Sequence, residues 1–166
     1  MPVLHDMSDD ELIIYDGRQS ETAAAVQRGV SRMLTTAGFA SLPEFPLVSG
    51  RRADIIAVSD KGGIWIIEIK SSVADFRADH KWPEYWDYCD ELYFAVPPDL
   101  PQEILPGEAG LIVADAWGAE ILRRPQAQSL AAARRKAVTL RFARAAALRL
   151  NSVYDPRVAG LLKSED

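Results

Sequence analysis

One cysteine and two histidines are all that this 166-residue chain carries of the soft metal ligands. Cys89 has no partner for an internal disulfide, which points to a reducing compartment. His5 and His80 cannot by themselves build a His/Cys zinc site. No apolar run approaches the roughly 20 residues that a membrane helix needs, so no membrane partner is expected. The N-terminal residues lack the basic-then-apolar order of a secretion signal and are acidic instead, with Asp6, Asp9, Asp10, Glu11 and Asp16. Together these absences predict a cytoplasmic protein. Internal repeats and low-complexity linkers are missing as well, which leaves one ordinary domain.

What is present is a foldable mixture, 48% hydrophobic and 26% charged. The net charge of −5 argues against nucleic acid, but its distribution does not. From residue 123 to 150 there are eight basic residues (Arg123, Arg124, Arg134, Arg135, Lys136, Arg141, Arg144 and Arg149) and no acidic one, so the other segments together carry −13. Such asymmetry predicts a basic surface on an acidic body. From charge alone, Arg134, Arg135, Arg141 and Arg144 are either phosphate contacts or a solvated helix face.

Periodicity orders the elements. Residues 1–19 have no clear period and read as a flexible acidic tail. Ser20 can cap a helix that runs to about Ala37, with Val26, Val30, Met33 and Leu34 on one face and Gly38 as its stop. Phe45 to Val48 reads as a strand that Pro43 and Pro46 mark as an edge. Two apolar strands follow, residues 53–58 and 64–70, around the turn Ser59-Asp60-Lys61-Gly62-Gly63. Ser72 with Asp75 can start a short helix. Residues 81–90 read as a helix with Trp82, Tyr85, Trp86 and Cys89 on one stripe. Strands are predicted at 92–96, 111–114 and 120–122. A basic helix over 130–150 buries Leu140, Ala143, Ala147 and Leu150, and residues 151–166 form a C-terminal tail. The whole is an α/β domain over 20–150, a mixed central sheet flanked by helices.

Both strands of the hairpin carry a carboxylate, where an unpaired charge would be costly. Folding the hairpin symmetrically about Lys61 sets residue 58 opposite 64, 56 opposite 66 and 54 opposite 68. Asp54 and Glu68 then share one face with Lys70, while a one-residue slip would part them. Two carboxylates that close repel unless a cation or a proton lies between them. A hard divalent cation is the natural resolution: Mg²⁺, with Mn²⁺ as a substitute, needs few protein ligands. The backbone carbonyl of Ile69 is a further candidate ligand, and Lys70 can hold a water or steady charge on a phosphate. Structural alternatives are a strand-end ion pair between Glu68 and Lys70, and pairing of Asp54 with Arg51 or Arg52. Those two arginines either touch the same phosphate or balance the carboxylates.

Asp54…Glu68-Ile69-Lys70 behind an N-terminal helix resembles the PD-(D/E)XK nuclease superfamily. More narrowly, Gly50-Arg51-Arg52-Ala53-Asp54, Ile67-Glu68-Ile69-Lys70-Ser71-Ser72, Asp75-Phe76-Arg77-Ala78-Asp79, Lys81-Trp82-Pro83-Glu84-Tyr85 and Phe94-Ala95-Val96-Pro97 resemble the MmcB-like DNA repair family of bacteria. The resemblance runs from about Ala25 to Ala147. It implies a restriction-endonuclease-like core, metal-dependent cleavage of DNA, and a place in DNA repair. It also implies an acidic residue on the first helix, where this chain has Gln27; Glu21 and Glu44 are the nearest substitutes. Ala53 stands where the superfamily often has proline. The helix after Glu-x-Lys often adds a polar residue to the site in the superfamily, which makes Lys81, Glu84 and Tyr85 candidates. The alternative is a DNA-binding or scaffold protein that keeps the fold and cuts weakly or not at all. With so small a core, a second copy of the chain or a repair-protein partner is the expected source of target choice.

Overall fold

In the computed structural model, residues 8–13 and 19–162 are described. Helix α1 (Asp9–Ile13) and helix α2 (Glu21–Thr36) precede strands β1 (Ala40–Pro46), β2 (Arg52–Val58) and β3 (Ile64–Ile69). Helix α3 (Val73–Ala78) and a 3₁₀ helix (Trp82–Tyr88) lead to β4 (Glu91–Val96). Then come a short 3₁₀ turn (Gln102–Ile104), β5 (Gly110–Ala114), β6 (Ala119–Arg123), α4 (Ala132–Tyr154) and α5 (Val158–Leu161). The six strands form one sheet in chain order, β1 to β6. β2 runs antiparallel to both β1 and β3; β3, β4 and β5 run parallel, and β6 turns back. This is the mixed, helix-flanked α/β sheet that the sequence predicts.

The local reasons are visible. Ser20 caps α2 by accepting from the Ala23 N–H (3.1 Å), and Gly38, at φ +85°, ends the turn after it. Alternation in β2 sends Ile55 and Ala57 to one layer and Ile56 to the other. β3 is buried along its whole length, as suits a strand paired on both sides and covered on both faces. One layer packs Val26, Val30 and Leu34 of α2 on Ile67, Tyr93 and Ile112. The opposite layer packs Tyr85, Cys89, Val138 and Ala145 on Ile56, Ile64, Ile66 and Leu92. At Gly29 the helix α2 touches the β5–β6 turn so closely that a Cβ there would lie 2.0 Å from the Asp115 carbonyl oxygen and 2.5 Å from that of Gly118.

Four expectations are corrected. Residues 9–13, read as part of a tail, are the helix α1, whose Leu12 is buried in the core and whose Asp9 pairs with Arg144; residues 1–7 and 14–18 lie outside the described residues. At the other end α4 continues to Tyr154, and α5 covers part of the expected C-terminal tail, residues 163–166 lying outside the described ones. The aromatic segment is a 3₁₀ helix, because three residues per turn stack Trp82, Tyr85 and Tyr88 toward the sheet in a short connector. Finally, α4 is rotated from the expected orientation: Leu140 (59%) and Leu150 (53%) are exposed. The inward stripe is Arg135, Val138, Phe142, Ala145 and Arg149. Its two arginines set the rotation: Arg135 grips Asp90, and Arg149 donates to the carbonyls of Leu12, Pro43 and Glu44.

Candidate active site

The β2–β3 ladder pairs Val58 with Ile64, Ala57 with Trp65, Ile56 with Ile66 and Ile55 with Ile67. Continued by one step it sets Asp54 opposite Glu68, and there side chains take over from the backbone. The Asp54 N–H donates to Glu68 Oε1 (3.0 Å), and the Ile69 N–H donates to Asp54 Oδ2 (2.8 Å). The two carboxyls are close enough to hydrogen-bond to each other. Burial, and next the charge of Asp54, push the Glu68 carboxyl well above the usual carboxylate range. Asp54 is raised as well, by burial first, against the Ile69 N–H and the Lys70 charge. Both carboxyls are raised, so the metal-free pair holds a proton more readily than two separate carboxylates do.

Lys70 is 5% exposed and leaves the end of β3 beside the pair, its own N–H donating to the Ala95 carbonyl (3.0 Å). Its Nζ donates to Asp79 Oδ2 at 2.7 Å. Burial favours a neutral amine, but the Asp79 hydrogen bond and the charges of Glu68, Asp79 and Asp75 outweigh it, so the ammonium is held above its ordinary value. Asp79, despite the opposing effect of its burial, is pulled below the usual carboxylate range by Lys70 and by the N–H groups of Lys81 and Trp82. Those two amides bond to its other oxygen at 2.9 and 3.1 Å. Asp79 was not singled out from the sequence as a site residue. Its signal was present in Asp75-Phe76-Arg77-Ala78-Asp79, a pair of acids four apart just after Glu-x-Lys, in reach of the lysine once α3 folds.

The remaining candidates divide. Tyr85 is buried, and its hydroxyl donates to the Arg52 carbonyl (3.0 Å). Burial, then the negative charges of Glu68 and Asp54, raise its phenol, so it stays protonated beside the carboxylates. Arg51 pairs with Glu84, and Arg52 and Lys81 are exposed at the same end of the sheet. Gln27 lies on α2, in the other layer, and its Oε1 accepts from Gln19 Nε2 (2.6 Å). Glu44 is buried at φ +47° in β1, between the pairs Pro43–Ile55 and Phe45–Ala53. Among the described residues no group of three or more His, Cys, Asp or Glu side chains is placed to hold a metal. The donors at hand are therefore Asp54, Glu68 and the Ile69 carbonyl, a small oxygen set that fits a cation keeping most of its waters.

The basic helix is largely consumed by structure. Arg135 binds Asp90 through both nitrogens (2.6 and 2.7 Å) and the Gly62 carbonyl (2.9 Å), at the opposite end of the sheet from Lys70. Burial is the largest single effect on Asp90 and pushes it up, but Arg135 and the Leu130 and Ile64 N–H groups together outweigh it and leave the carboxyl pulled down to about 2. Arg144 clasps Asp9 (2.7 Å to each oxygen), and Arg141 stands near Glu11 and Asp9. Arg134 lies over the Tyr88 ring at 4.7 Å. Arg135→Ala is expected to cost about 2 kcal/mol of stability, as loss of charge-assisted bonds does, and to leave DNA affinity unchanged. Paired urea melts and binding isotherms check this, and a loss of affinity at unchanged stability would return Arg135 to the DNA surface.

Residues 10–157 match the family described as DNA repair protein MmcB-like. Among solved structures the chain is similar to the SPO1766 protein of unknown function from Silicibacter pomeroyi, at 46% identity and a TM-score of 0.79 over 84% of this chain and 95% of that one. A repair endonuclease from Pyrococcus abyssi aligns at 18% identity and a TM-score of 0.39, over 63% of this chain and 50% of that one. Among curated proteins nothing matches. No helix among the described residues is long and apolar enough to cross a membrane. The match over residues 10–157 settles the family: the chain belongs to the MmcB-like DNA repair proteins.

Proposed function

We propose that this protein is a divalent-metal-dependent nuclease that hydrolyses DNA phosphodiester bonds in bacterial DNA repair. The observation that carries the reading is the convergence of Asp54 and Glu68 at the splayed end of β2–β3, beside a buried, charged lysine. Asp54, Glu68 and the Ile69 carbonyl would hold Mg²⁺ or Mn²⁺, which would supply Lewis acidity and ease the loss of a proton from a bound water. The chain's own residues do the rest. The Asp54–Glu68 pair would give up its proton to solvent to act as a ligand. Lys70, kept cationic by Asp79, stabilises charge on the phosphate oxygens as the water's P–O bond forms and the leaving P–O bond breaks. Tyr85 and Trp82 wall the site on one side, and their contacts fix the segment that carries Asp79.

A second reading, a DNA-binding scaffold with little or no cleavage, is favoured by one observation. Gln27 on α2 is bonded to Gln19 and adds no carboxylate to the site. Incubating the protein with labelled single-stranded, duplex, nicked, gapped and branched DNAs, with Mg²⁺, Mn²⁺ or EDTA, separates the two. The nuclease reading expects products with metal and none with EDTA. Tight binding without products on every substrate supports the scaffold.

A further inference from the structure

The β5–β6 turn carries a feature that the carboxylate site does not use. Trp117, at its tip, is 78% exposed, whereas Trp65 is 7% exposed and Trp82 and Trp86 pack against the core. A single exposed apolar residue is ordinary; its setting here is not. The turn is locked: Asp115 Oδ1 accepts from the N–H groups of Trp117 (2.8 Å) and Gly118 (3.1 Å), and the Asp115 N–H donates to the Gly118 carbonyl (3.0 Å). α2 buttresses it through the close approach at Gly29. The Arg32 guanidinium lies 5.6 Å from the centroid of the indole. Arg28, one turn earlier on α2, shares a concave surface with Arg32, Ser31 and Thr35. No carboxylate among the described residues pairs with either arginine. Beside the indole opens a cavity of about 420 Å³ lined by Pro98, Val113, Trp117 and Glu120.

Topology ties this platform to the carboxylates. β3, β4 and β5 are parallel, so Lys70, Pro97 and Asp115 follow one another along the same end of the sheet. Strands about 4.8 Å apart separate β5 from β3 by roughly 10 Å, but Trp117 and Arg32 stand on the α2 side of the sheet, whereas Asp54 and Glu68 share the opposite face with Ile56 and Ile66. A DNA strand that reaches both must pass round the end of the sheet and so spans more than about three base steps at ~3.4 Å each. A rigid indole offers an unpaired base a stacking surface at low entropic cost, and two guanidiniums beside it, without a carboxylate partner among the described residues, suit the flanking phosphates. The carboxylate of Asp115, which faces the same cavity, is engaged by two N–H groups and so opposes the phosphates less.

We propose that Trp117, with Arg28 and Arg32, binds an unpaired nucleotide several bases away from the bond to be cut, so that the preferred substrate is DNA with a single-stranded gap, tail or flap. The proposal rests on the DNA reading above and narrows it to a substrate class. Its test is equilibrium binding in EDTA, where nothing is cut, of a blunt duplex and of the same duplex with a short single-stranded gap. Trp117→Ala should weaken gapped-DNA binding roughly 5- to 100-fold, the range of one base–aromatic stack. It should change duplex affinity by less than about twofold, and Trp117→Tyr should restore much of the loss. Because the indole is exposed, the melting temperature should not move, and gapped DNA should quench the tryptophan emission of the unmodified protein but not of Trp117→Ala. Equal affinity of Trp117→Ala and the unmodified protein for gapped DNA overturns this proposal and leaves the nuclease reading standing. If the unmodified protein binds neither DNA, both fall together.

Discussion

Glu68→Gln should cut DNA on the order of a thousandfold more slowly than the unmodified protein, or not detectably, while binding it as well or better. The change keeps the shape and the acceptor that Asp54 N–H uses, but removes the charge that a divalent ion requires. It also deletes a negative charge facing phosphate, which favours tighter binding. Asp54→Asn should behave alike. Lys70→Ala should lose cleavage to a similar degree with metal affinity nearly intact, because the ammonium acts on the transition state and not on the ion. Single-turnover rates against Kd on one substrate panel give the comparison. Equal rates for all four proteins would show an inert site, and so would full complementation of DNA-damage survival by all three variants.

The second large effect is on stability, and it needs no substrate. Glu68 holds its proton more tightly in the folded chain than at its ordinary value of 4.5, through burial and then through Asp54. For a carboxylate raised in this way, the favourable contribution is complete below the unfolded value and is lost as pH rises through the folded one. The metal-free protein should therefore become less stable as the pH rises above the ordinary carboxylate value. Asp79 and Asp90 are lowered and act in the opposite sense, but only below about pH 4. A divalent ion binds the ionised pair, so stabilisation by Mn²⁺ should grow over the same range. At a hundredfold excess over Kd it amounts to about 2.7 kcal/mol, or roughly 5–10 °C in a chain of this size. Glu68→Gln should flatten the alkaline decline and abolish the metal shift together. A melting temperature indifferent to millimolar Mn²⁺ at pH 8 would rule out the pair as a metal site.

The pairing of β2 with β3 was readable because the short Gly-rich turn, folded symmetrically about Lys61, sets the register that isoleucines buried on both faces cannot choose. That register alone brings Asp54 to Glu68. The partner of Lys70 was not readable, since Asp79 reaches it only through the conformation of α3 and the turn after it. The rotation of α4 was hidden for another reason. An alanine-rich helix offers two apolar stripes, and hydrophobicity cannot choose between Leu140–Leu150 and Val138–Leu148. The choice falls to Arg135 and Arg149, which read as phosphate ligands or solvated charges until Asp90 and the Pro43 and Glu44 carbonyls are seen beneath them. These two are a quarter of the eight basic residues behind the charge asymmetry that pointed to a basic DNA-binding face. Arg28 and Arg32, which the sequence did not raise, sit on a helix that also carries Glu21, so its charge does not stand out.

A linear six-stranded order leaves the sheet two edges, β1 and β6, and each is shielded from edge-to-edge aggregation. Pro43 and Pro46 remove two N–H donors from β1, and Glu44, at φ +47°, breaks the extended run between them. β6 is five residues long, ends where Arg123 turns back onto the Pro106 and Ala109 carbonyls, and is followed within two residues by Pro125. Neither edge offers the unbroken row of amides and carbonyls on which a foreign strand could nucleate. Among the described residues, then, side chains and helices offer a partner chain more to engage than the sheet edges do.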